Sequence, residues 1–412
     1  MLNIIINAYA CSPNWGSEQG MAWNWIVNLS QYCNLYIITE EEYADLIEEA
    51  VSKLPQQENL HFYYNPVSKD IRKMCWNQGD WRFYYYYQKW QYRTYQIAKD
   101  IIKDNSIDLL HQLNMIGFRE PGYLWKIKDI PFVWGPIGGM ETMPITYLEG
   151  ASLKQKLIVH LKNAINAYQT RHSKRVGKAL ERADVLIAAV KGVKDKIELY
   201  HDRKAILINE TGCYPQLAEV EDKRGKESFD ILWVGKFDFR KQLGMALQTI
   251  SKIKNLPNLR FHIVGSGSES EKSHYKTLAD SLGITDLCEW YGLIPNAEVQ
   301  AMMRKFDLLL FTSIMEGTPH VVLEAIGNNL PILCLDSCGQ AASVNEKIGI
   351  KIPVTSLCQS VFDFSEAIKK LYKDRELLHN MSLSCAERQQ ELSWDSKARQ
   401  VVDIYEKIIN KR

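Results

Sequence analysis

The stretch FDLLLFTSIMEGTPHVVLEAIGNNLPILCLDSCG, residues 306–339, decides the fold. An apolar run ends near Thr312, a polar loop carries Glu316, and a second apolar run follows a helical pattern. Thr318 and Pro319 are typical of a helix start, because threonine caps the first amides and proline is tolerated in the first turn. The order strand, loop, helix, strand indicates a parallel α/β sheet.

The same alternation of short apolar runs and longer helical patterns continues through both halves of the chain. In the first half, the predicted strands are 2–9, 35–39, 60–64, 108–112, 131–135, 185–190 and 205–209. In the second half, they are 229–236, 259–264, 287–291, 306–312 and 331–335. Residues 210–228 lack this pattern and are interpreted as a linker. Because 412 residues exceed one ordinary core, the sequence predicts two α/β domains.

The composition restricts the class of protein. Hydrophobic residues make up 46% and charged residues 24% of the chain, which are ordinary globular values. A formal net charge of +1 provides no field that would attract nucleic acid, so no nucleic-acid partner is expected. The sequence shows no leader pattern and no membrane-spanning run, and its nine cysteines form no CxxC pair. We therefore expect reduced thiols and a cytoplasmic protein.

The loop and helix within residues 306–339 indicate an anion site. In parallel α/β sheets, ligands bind beyond the carboxyl ends of the strands. The free amides and the dipole of a helix that starts near Thr318 would attract a phosphate there. Glu316 precedes this helix and Glu324 lies inside it, so the two carboxylates would address different parts of one ligand, a sugar hydroxyl and a ribose. The competing interpretation is a pair of solvated acids, which are favoured near helix starts in any case.

The spacing Glu316-x7-Glu324 resembles the EX7E element of the family 4 (GT4) retaining glycosyltransferases, also called group 1 glycosyltransferases, which include enzymes of bacterial surface polysaccharides. The resemblance implies the GT-B fold, in which two Rossmann-like α/β domains face each other across a cleft. It implies an acceptor-side domain at 1–212 and a nucleotide-sugar-binding domain at 213–390. The remaining residues, 391–412, would form a helix that packs back toward the first domain.

The stretch WVGKFDFRKQL at 233–243 is similar to the family's basic loop for the donor diphosphate. Lys241 matches the family lysine, whereas Lys236 stands where arginine is usual, so Arg240 is a candidate to replace it. A solvated basic loop is the alternative. In full, the resemblance implies catalytic roles for His111, Glu316 and Lys241, and donor binding by Gly16, Ser17, Lys236, Arg240, Gly265, Gly317, Thr318, Pro319, His320 and Glu324.

Two segments of the first half match the family less completely. The loop after the first strand keeps one glycine, Gly16, followed by Ser17, where the family has a glycine pair near the donor phosphates. His111 ends a predicted strand, as in the family, where this residue lies beside the transferred sugar. An ordinary strand-to-helix turn and a structural histidine are the respective alternatives.

These features predict a retaining glycosyltransferase that moves a sugar from a nucleotide-sugar donor to a glycan or lipid-linked acceptor, in the synthesis of bacterial surface polysaccharide or glycolipid. An inverting enzyme would need a general base. In related inverting families this base is often a histidine after the first strand, and here the first histidine is His61. Positive side chains would supply the charge for the diphosphate, so neither a metal nor another cofactor is expected.

Other functions stay open at this point. A GT-B epimerase, a phosphorylase and a non-catalytic protein that binds sugar nucleotides would share the fold. A dehydrogenase is disfavoured, because Ser270 stands at the third glycine position of the dinucleotide fingerprint that Gly265 and Gly267 begin.

Residues 151–178 contain seven cations and no acid, and apolar residues recur there at helical spacing. Such a helix suits the anionic inner face of a membrane, with aromatic side chains of residues 76–95 as interfacial anchors. The alternative is that the apolar residues of 151–178 and the aromatic residues of 76–95 belong to the domain core. Attachment to the inner membrane surface is therefore a further expectation, beside that of a soluble cytoplasmic enzyme.

Overall fold

The computed structural model describes residues 1–76, 79–149, 151–216 and 219–411. The chain divides into two compact units. The first unit comprises Met1–Glu141, Ala164–Thr211 and Trp394–Arg412. The second unit comprises Thr142–Asn163 and Gly212–Ser393.

The first unit is built on a seven-stranded parallel sheet with the order β3-β2-β1-β4-β5-β6-β7. Its strands are β1 Leu2–Ala8, β2 Cys33–Thr39, β3 Leu60–Tyr64, β4 Leu109–Asn114, β5 Phe132–Ile137, β6 Val185–Ala188 and β7 Ala205–Leu207. Its helices are α1 Ser17–Leu29, α2 Ala44–Val51, α3 Lys69–Cys75, α4 Trp81–Asp104, α6 Lys174–Arg182, α7 Lys191–His201 and α15 Trp394–Ile409. Helix α5, Leu153–His172, contains the boundary between the two units.

Both faces of the first sheet are covered, which explains why its central strands β1, β4 and β5 are buried along most of their length. Ile4 and Ile6 point to one face and pack with Trp25 of α1 and Tyr405 of α15. Ile5 points to the opposite face, where α4, α6 and α7 supply the core. This alternation follows from the two-residue period of a strand. The terminal helix α15 is thus part of the first core.

The second unit is built on a six-stranded parallel sheet with the order β10-β9-β8-β11-β12-β13. Its strands are β8 Phe229–Val234, β9 Leu259–Val264, β10 Cys288–Gly292, β11 Leu308–Phe311, β12 Ile332–Leu335 and β13 Gly349–Ile352. Its helices are α8 Leu243–Lys252, α9 Glu269–Ser281, α10 Asn296–Lys305, α11 His320–Gly327, α12 Cys338–Ser343, α13 Leu357–Lys373 and α14 Arg375–Glu391. The alternating residues of β8 again enter two separate cores, one with α8 and α13 and one with α10 and α11.

The predicted α/β class with two Rossmann-like parallel sheets is confirmed, and each of the twelve predicted strands has a counterpart. Strand β13, Gly349–Ile352, was not predicted, because four residues beside charged neighbours give no clear apolar run. Residues 142–163 lie within the sequence range 1–212 that was assigned to the first domain, and in the structure they belong to the second unit.

One buried side chain explains why residues 142–163 belong to the second unit. Tyr147 is fully buried among the side chains of the second core, which include Val361 and Phe364 of α13. Its hydroxyl lies 2.7 Å from the hydroxyl oxygen of Ser360. Burial of an aromatic ring and pairing of its hydroxyl together fix this segment on the second unit.

Truncation of Tyr147 tests this assignment. We expect Tyr147→Ala to lower the free energy of unfolding of the second unit by about 3–5 kcal/mol, because the substitution leaves a cavity and an unpaired serine hydroxyl. Chemical denaturation with hydrogen exchange as a readout of each unit measures the effect. Ile145→Ala in the same turn is the control, since Ile145 is exposed and should change stability little. Equal effects of the two substitutions would contradict the assignment.

Candidate active site

The loop after β8 holds two basic side chains in a defined turn. Residues Phe239–Lys241 form a single 3-10 turn, and the carboxylate of Asp238 caps it by accepting from the amide of Lys241 at 3.1 Å. Gln242 follows with a φ of 54° and starts helix α8. The side chains of Arg240 and Lys241 therefore leave a backbone that is fixed by local hydrogen bonds.

The loop after β11 is hydrogen bonded to this turn. The hydroxyl of Thr312 lies 2.8 Å from the carbonyl oxygen of Lys241, and the amide of Ile314 donates to the carbonyl of Arg240 at 3.0 Å. The indole of Trp233 donates to the same threonine hydroxyl at 3.0 Å. Neighbouring strands of a parallel sheet end at the same edge, and these bonds join the two loops there.

Glu316 lies where the two loops meet, and two cations bind its carboxylate. Its Oε1 lies 2.5 Å from Nζ of Lys241 and accepts from the hydroxyl of Ser313 at 2.6 Å. Its Oε2 accepts from Nη1 of Arg240 at 2.6 Å. Glu316 and Lys241 are 11% and 14% exposed, whereas Arg240 is 37% exposed. Two cations share one carboxylate, and the more exposed cation has guanidinium donors that can bind an anion.

The ends of strands β8 and β9, next to this cluster, lie unusually close together. Gly265 follows β9 with a φ of 136°, and a β-carbon there would lie 1.8 Å from the carbonyl oxygen of Gly235. Only glycine permits this approach of two backbones. Lys236 directly follows Gly235 and is exposed. The structure thus places a third cation in the loop that carries Arg240 and Lys241.

Helix α11 starts one residue later than the sequence pattern predicts. The extended residue at its N-cap is Pro319, with φ −74° and ψ 115°, and the first helical residue is His320, which is exposed. The prediction of Thr318 as the cap and Pro319 as the first helical residue was therefore wrong by one position. Gly317 is exposed, and Thr318 is buried.

Glu324 lies in the second turn of α11 and belongs to a different set of contacts from Glu316. Its Oε1 accepts from the side-chain amide of Asn296 at the start of α10, at 3.0 Å. No hydrogen bond in the described part of the chain joins it to Arg240 or Lys241. The two carboxylates are thus held by separate sets of contacts.

In the first unit, Gly16 and Ser17 form the start of α1. Gly16 is the N-cap residue, and Ser17 is the first helical residue with a φ of 57°. Both residues are exposed. The neighbouring Glu18 side chain accepts from the amide of Ile116 at 2.7 Å, which ties the helix start to the segment after β4. The loop therefore offers an exposed helix N-terminus at the carboxyl edge of the first sheet.

His111 of β4 lies in the core of the first unit. Its Nε2 donates to the carbonyl of Gly135 at 2.7 Å, so the neutral ring accepts from the hydroxyl of Tyr405 through Nδ1, at 2.5 Å. The side chain is 1% exposed. Both ring nitrogens are paired within the unit, which is the environment of a structural histidine. The structure does not bring His111 to a surface where a ligand could reach it.

Three residues of the site were not identified from the sequence. Asp238 caps the basic turn, Ser313 donates to Glu316, and a β-carbon at Gly339 would lie 1.8 Å from the carbonyl oxygen of Gly317. Gly339 therefore allows the start of α12 to pack against the loop of Glu316. The spacing Asp238-x-x-Lys241 is a capping signal that could have been recognised, whereas the other two contacts depend on the folded loops.

Comparison with known proteins identifies the second unit. The family described as Glycosyl transferases group 1 matches residues 218–387, which include Arg240, Lys241, Glu316 and Glu324. Residues 218–387 of the second unit are thus similar to group 1 glycosyl transferases. The predicted resemblance to this family is thus confirmed at the level of the group, and the residues that bind Glu316 lie inside the matched range.

Relatives with known names extend the comparison. The lipopolysaccharide 1,6-galactosyltransferase of Escherichia coli strain K12 is 32% identical over 122 residues, or 29% of this chain and 33% of the relative. The match thus spans about a third of the length of that relative.

Solved structures match the whole chain. The lipopolysaccharide outer core galactosyltransferase WaaB in its apo form superposes with a TM-score of 0.63 at 14% identity, covering 98% of this chain and 99% of that chain. The Anabaena protein HepE in complex with UDP superposes with a TM-score of 0.59 at 12% identity, covering 99% and 100%. At these identities the likeness shows the fold alone, and that fold is GT-B.

The environment of His111 predicts a pH dependence of stability. Burial lowers the pKa of the His111 imidazole from 6.5 to about 4. Between these values the unfolded chain binds the extra proton and the folded chain does not, so the free energy of unfolding falls as the pH falls from about 6.5 to about 4. The full effect is roughly 3 kcal/mol.

Urea denaturation of wild type and His111→Gln at pH 7 and pH 4.5 measures this contribution. We expect wild type to lose more stability than the variant over this range, because glutamine does not titrate. NMR of labelled histidine rings reports the protonation of the His111 ring directly. The variant serves to assign the His111 signal. A His111 signal that titrates near pH 6.5 would contradict the assigned environment.

Proposed function

We propose that this protein is a retaining glycosyltransferase that moves a sugar from a nucleotide-sugar donor to a glycan or lipid-linked acceptor. The observation that carries the proposal is the Glu316 carboxylate bound between Arg240 and Lys241 within the residues that match the group 1 family. Support comes from the lipopolysaccharide galactosyltransferase relative and from the fold shared with HepE, which was solved with UDP. The UDP bound to HepE supports a nucleotide sugar as the donor, and the lipopolysaccharide relative supports a bacterial surface glycan or glycolipid as the product.

The basic loop after β8 would bind the donor diphosphate. Departure of the diphosphate from the sugar develops negative charge on its oxygens, and fixed positive groups stabilise that charge without rearranging during the reaction. Arg240 is the best placed group, because it is partly exposed and its backbone carbonyl is bonded to the loop after β11. Lys236 is exposed in the same loop and adds a point charge.

The two carboxylates would bind different parts of the donor. Glu316 is oriented by Lys241 and Ser313, and we assign it to a hydroxyl of the transferred sugar. Glu324 lies on α11 beside Asn296, and we assign it to the ribose. Gly317, Thr318, Pro319 and His320 form the intervening loop and helix start, where backbone amides would meet a phosphate.

We propose retention because residues 9–16, which follow β1, contain no histidine that could serve as the general base of an inverting enzyme. In the retaining route, the bond from the anomeric carbon to the diphosphate breaks, and the acceptor oxygen bonds to that carbon on the same face. The acceptor proton passes to the departing diphosphate oxygen, so no protein nucleophile is needed. We leave His111 out of this step because both of its nitrogens are paired in the core. The positive side chains carry the charge, so the proposed reaction needs no metal.

A non-catalytic protein that binds sugar nucleotides is the second candidate. The Arg240 and Lys241 cluster alone would also serve to bind a diphosphate. Transfer or slow hydrolysis of a nucleotide sugar, measured by release of the nucleoside diphosphate, separates an enzyme from a binding protein.

Substitutions at the cluster test the assignment. We expect Lys241→Ala and Glu316→Gln each to lower kcat by about 100- to 1,000-fold, because each removes a preorganised charge next to the reacting centre. Glu324→Gln should mainly raise KM for the donor, since it contacts the ribose in both ground and transition state. Steady-state kinetics with a donor found by thermal-shift screening against nucleotide sugars provide the values.

Lys252→Ala and Glu298→Gln are matched controls, because both residues are exposed on helices of the same unit and lie outside the cluster. Near-normal turnover of Lys241→Ala and Glu316→Gln with a confirmed donor would refute the site assignment. An equal loss in the controls would show a general effect on folding instead.

We also propose that helix α5 attaches the protein to an anionic membrane surface, where a lipid-linked acceptor would lie. Three exposed leucines recur every four residues along α5: Leu153, Leu157 and Leu161. The side chain of Leu157 is 70% exposed. Lys154 and Lys162 flank this stripe and are also exposed. An apolar stripe with cations beside it is the pattern of helices that lie on lipid surfaces. In the described part of the chain, no helix is long and apolar enough to cross a membrane.

Sedimentation with liposomes tests this attachment. We expect binding to vesicles with phosphatidylglycerol, weaker binding at higher salt, and little binding to neutral phosphatidylcholine vesicles. Leu157→Asp should abolish sedimentation, whereas Leu199→Asp, on the exposed face of α7, should not. Equal and negligible binding of wild type to both vesicle types would refute the proposal.

A further inference from the structure

The first unit contains a pocket that the proposed donor site does not use. It has a volume of about 580 Å³, within the usual range of small-molecule sites, about 300–1,000 Å³. It lies between α3 and the first half of α4. Its lining residues are Val67, Ser68, Ile71, Trp76, Tyr85, Tyr86, Gln88, Lys89, Trp90, Tyr92, Arg93 and Tyr123.

The pocket lies at the carboxyl edge of the first sheet. Val67 and Ser68 come shortly after β3, and Tyr123 lies in the connection that follows β4. Helix α4 leads back into β4, so its first half lies at the same edge. In parallel α/β sheets this edge is where ligands bind. The position of the pocket is therefore that of a binding site and not of a packing defect.

The floor of the pocket is rigid. Trp90 is buried, and its indole donates to the carbonyl of Asn65 at 2.7 Å. The side-chain amide of Asn65 donates to the hydroxyl of Thr94 at 2.9 Å. Tyr9 and Tyr87 pack edge to face beside Trp90, with ring centroids 4.8 Å apart. The aromatic floor is thus held in place before any ligand binds.

The rim of the pocket presents further aromatic rings that the fold does not cover. Tyr85 and Tyr92 are 56% and 49% exposed. The ring planes of Tyr85 and Tyr86 are inclined at 79°, and those of Tyr92 and Tyr123 are inclined at 87°. Perpendicular pairs present one ring face beside a ring edge and a phenolic hydroxyl. They do not form two parallel faces that would enclose a flat base.

The charged groups of the rim are positive. Nζ of Lys89 lies 4.3 Å from the ring centroid of Tyr85, and Arg93 donates to the carbonyl of Pro66 at 2.8 Å. Ser68 and Gln88 add neutral hydrogen-bonding groups, and the side-chain amide of Gln88 also donates to the carboxylate of Glu120 at 3.0 Å. The lining residues include no aspartate or glutamate among those that the structure describes. The pocket is therefore complementary to a ligand with an apolar face, several hydroxyls and a negative charge.

We propose that this pocket binds a pyranose ring that carries a negative charge, such as a uronate or a sugar phosphate. The axial C–H groups of the ring match the electron-rich faces of the tyrosines, and its equatorial hydroxyls match the phenols, Ser68 and Gln88. The anionic group pairs with Lys89 and Arg93. The inference rests on the proposed function, because in a glycosyltransferase such a ring would belong to the acceptor glycan.

Binding of simple glycosides tests the site in the full chain. Saturation-transfer NMR and titration would compare methyl β-D-glucuronide, methyl β-D-glucoside and glucose 6-phosphate. We expect both anionic sugars to bind more tightly than the glucoside. Tyr92→Ala should weaken binding of all three by about tenfold, because an exposed stacking face is lost. Lys89→Gln should weaken the anionic sugars by about fivefold and leave the glucoside unchanged.

Tyr84→Ala and Lys99→Gln are matched controls, because both residues lie on α4 outside the pocket. Equal effects in the controls, or no binding of any glycoside to wild type, would overturn the proposal. Binding of wild type to anionic vesicles that Tyr92→Ala abolishes, without glycoside binding, would also overturn it and identify a membrane anchor.

A parallel titration with UDP keeps the two proposals separate. The pocket variants should retain the UDP affinity of wild type, and Lys241→Ala should retain glycoside binding. If neither UDP nor any nucleotide sugar of the thermal-shift screen bound to wild type, the proposed donor site would be refuted and the glycoside result would stand. Loss of glycoside binding alone would refute the pocket and leave the donor site standing.

Discussion

The contact of Glu316 with Arg240 and Lys241 is the interaction on which the candidate site depends. A carboxylate that is mostly buried needs partners, and here two cations and a serine hydroxyl provide them. These partners come from loops at the ends of two neighbouring strands, so their contact also fixes the two loops to each other. The more exposed Arg240 then presents donors to solvent from a backbone that is already ordered.

The two parallel sheets carry different kinds of side chain at the same edge. In the second unit, the carboxyl edge carries charges, glycine contacts and the start of α11, which suit a diphosphate and a sugar. In the first unit, the corresponding edge carries aromatic rings with two cations, which suit the face of a ring with a charged substituent. Both arrangements follow from one constraint: side chains that follow parallel strands converge at one edge.

Local sequence patterns were sufficient for the central strands because these strands are buried on both faces. Continuous apolar runs such as Leu308–Phe311 and Ile332–Leu335 are therefore visible without an alignment. Strand β13 was not predicted because it is short and flanked by charged residues. The start of α11 moved by one residue because a proline can adopt the extended N-cap conformation as well as the first helical one.

The sequence by itself determined the two α/β halves, the basic loop after β8 and the spacing of Glu316 and Glu324. These features are local, since they depend on periodicity and on residues within one strand, loop and helix. Only the tertiary structure decided that Glu316 meets Lys241, 75 residues earlier in the chain, and that Tyr147 packs in the second core. It also decided that Tyr405, 294 residues after His111, pairs with that histidine and keeps it inside the first core. Such contacts depend on which elements the folded chain brings together, and no short sequence pattern contains that information.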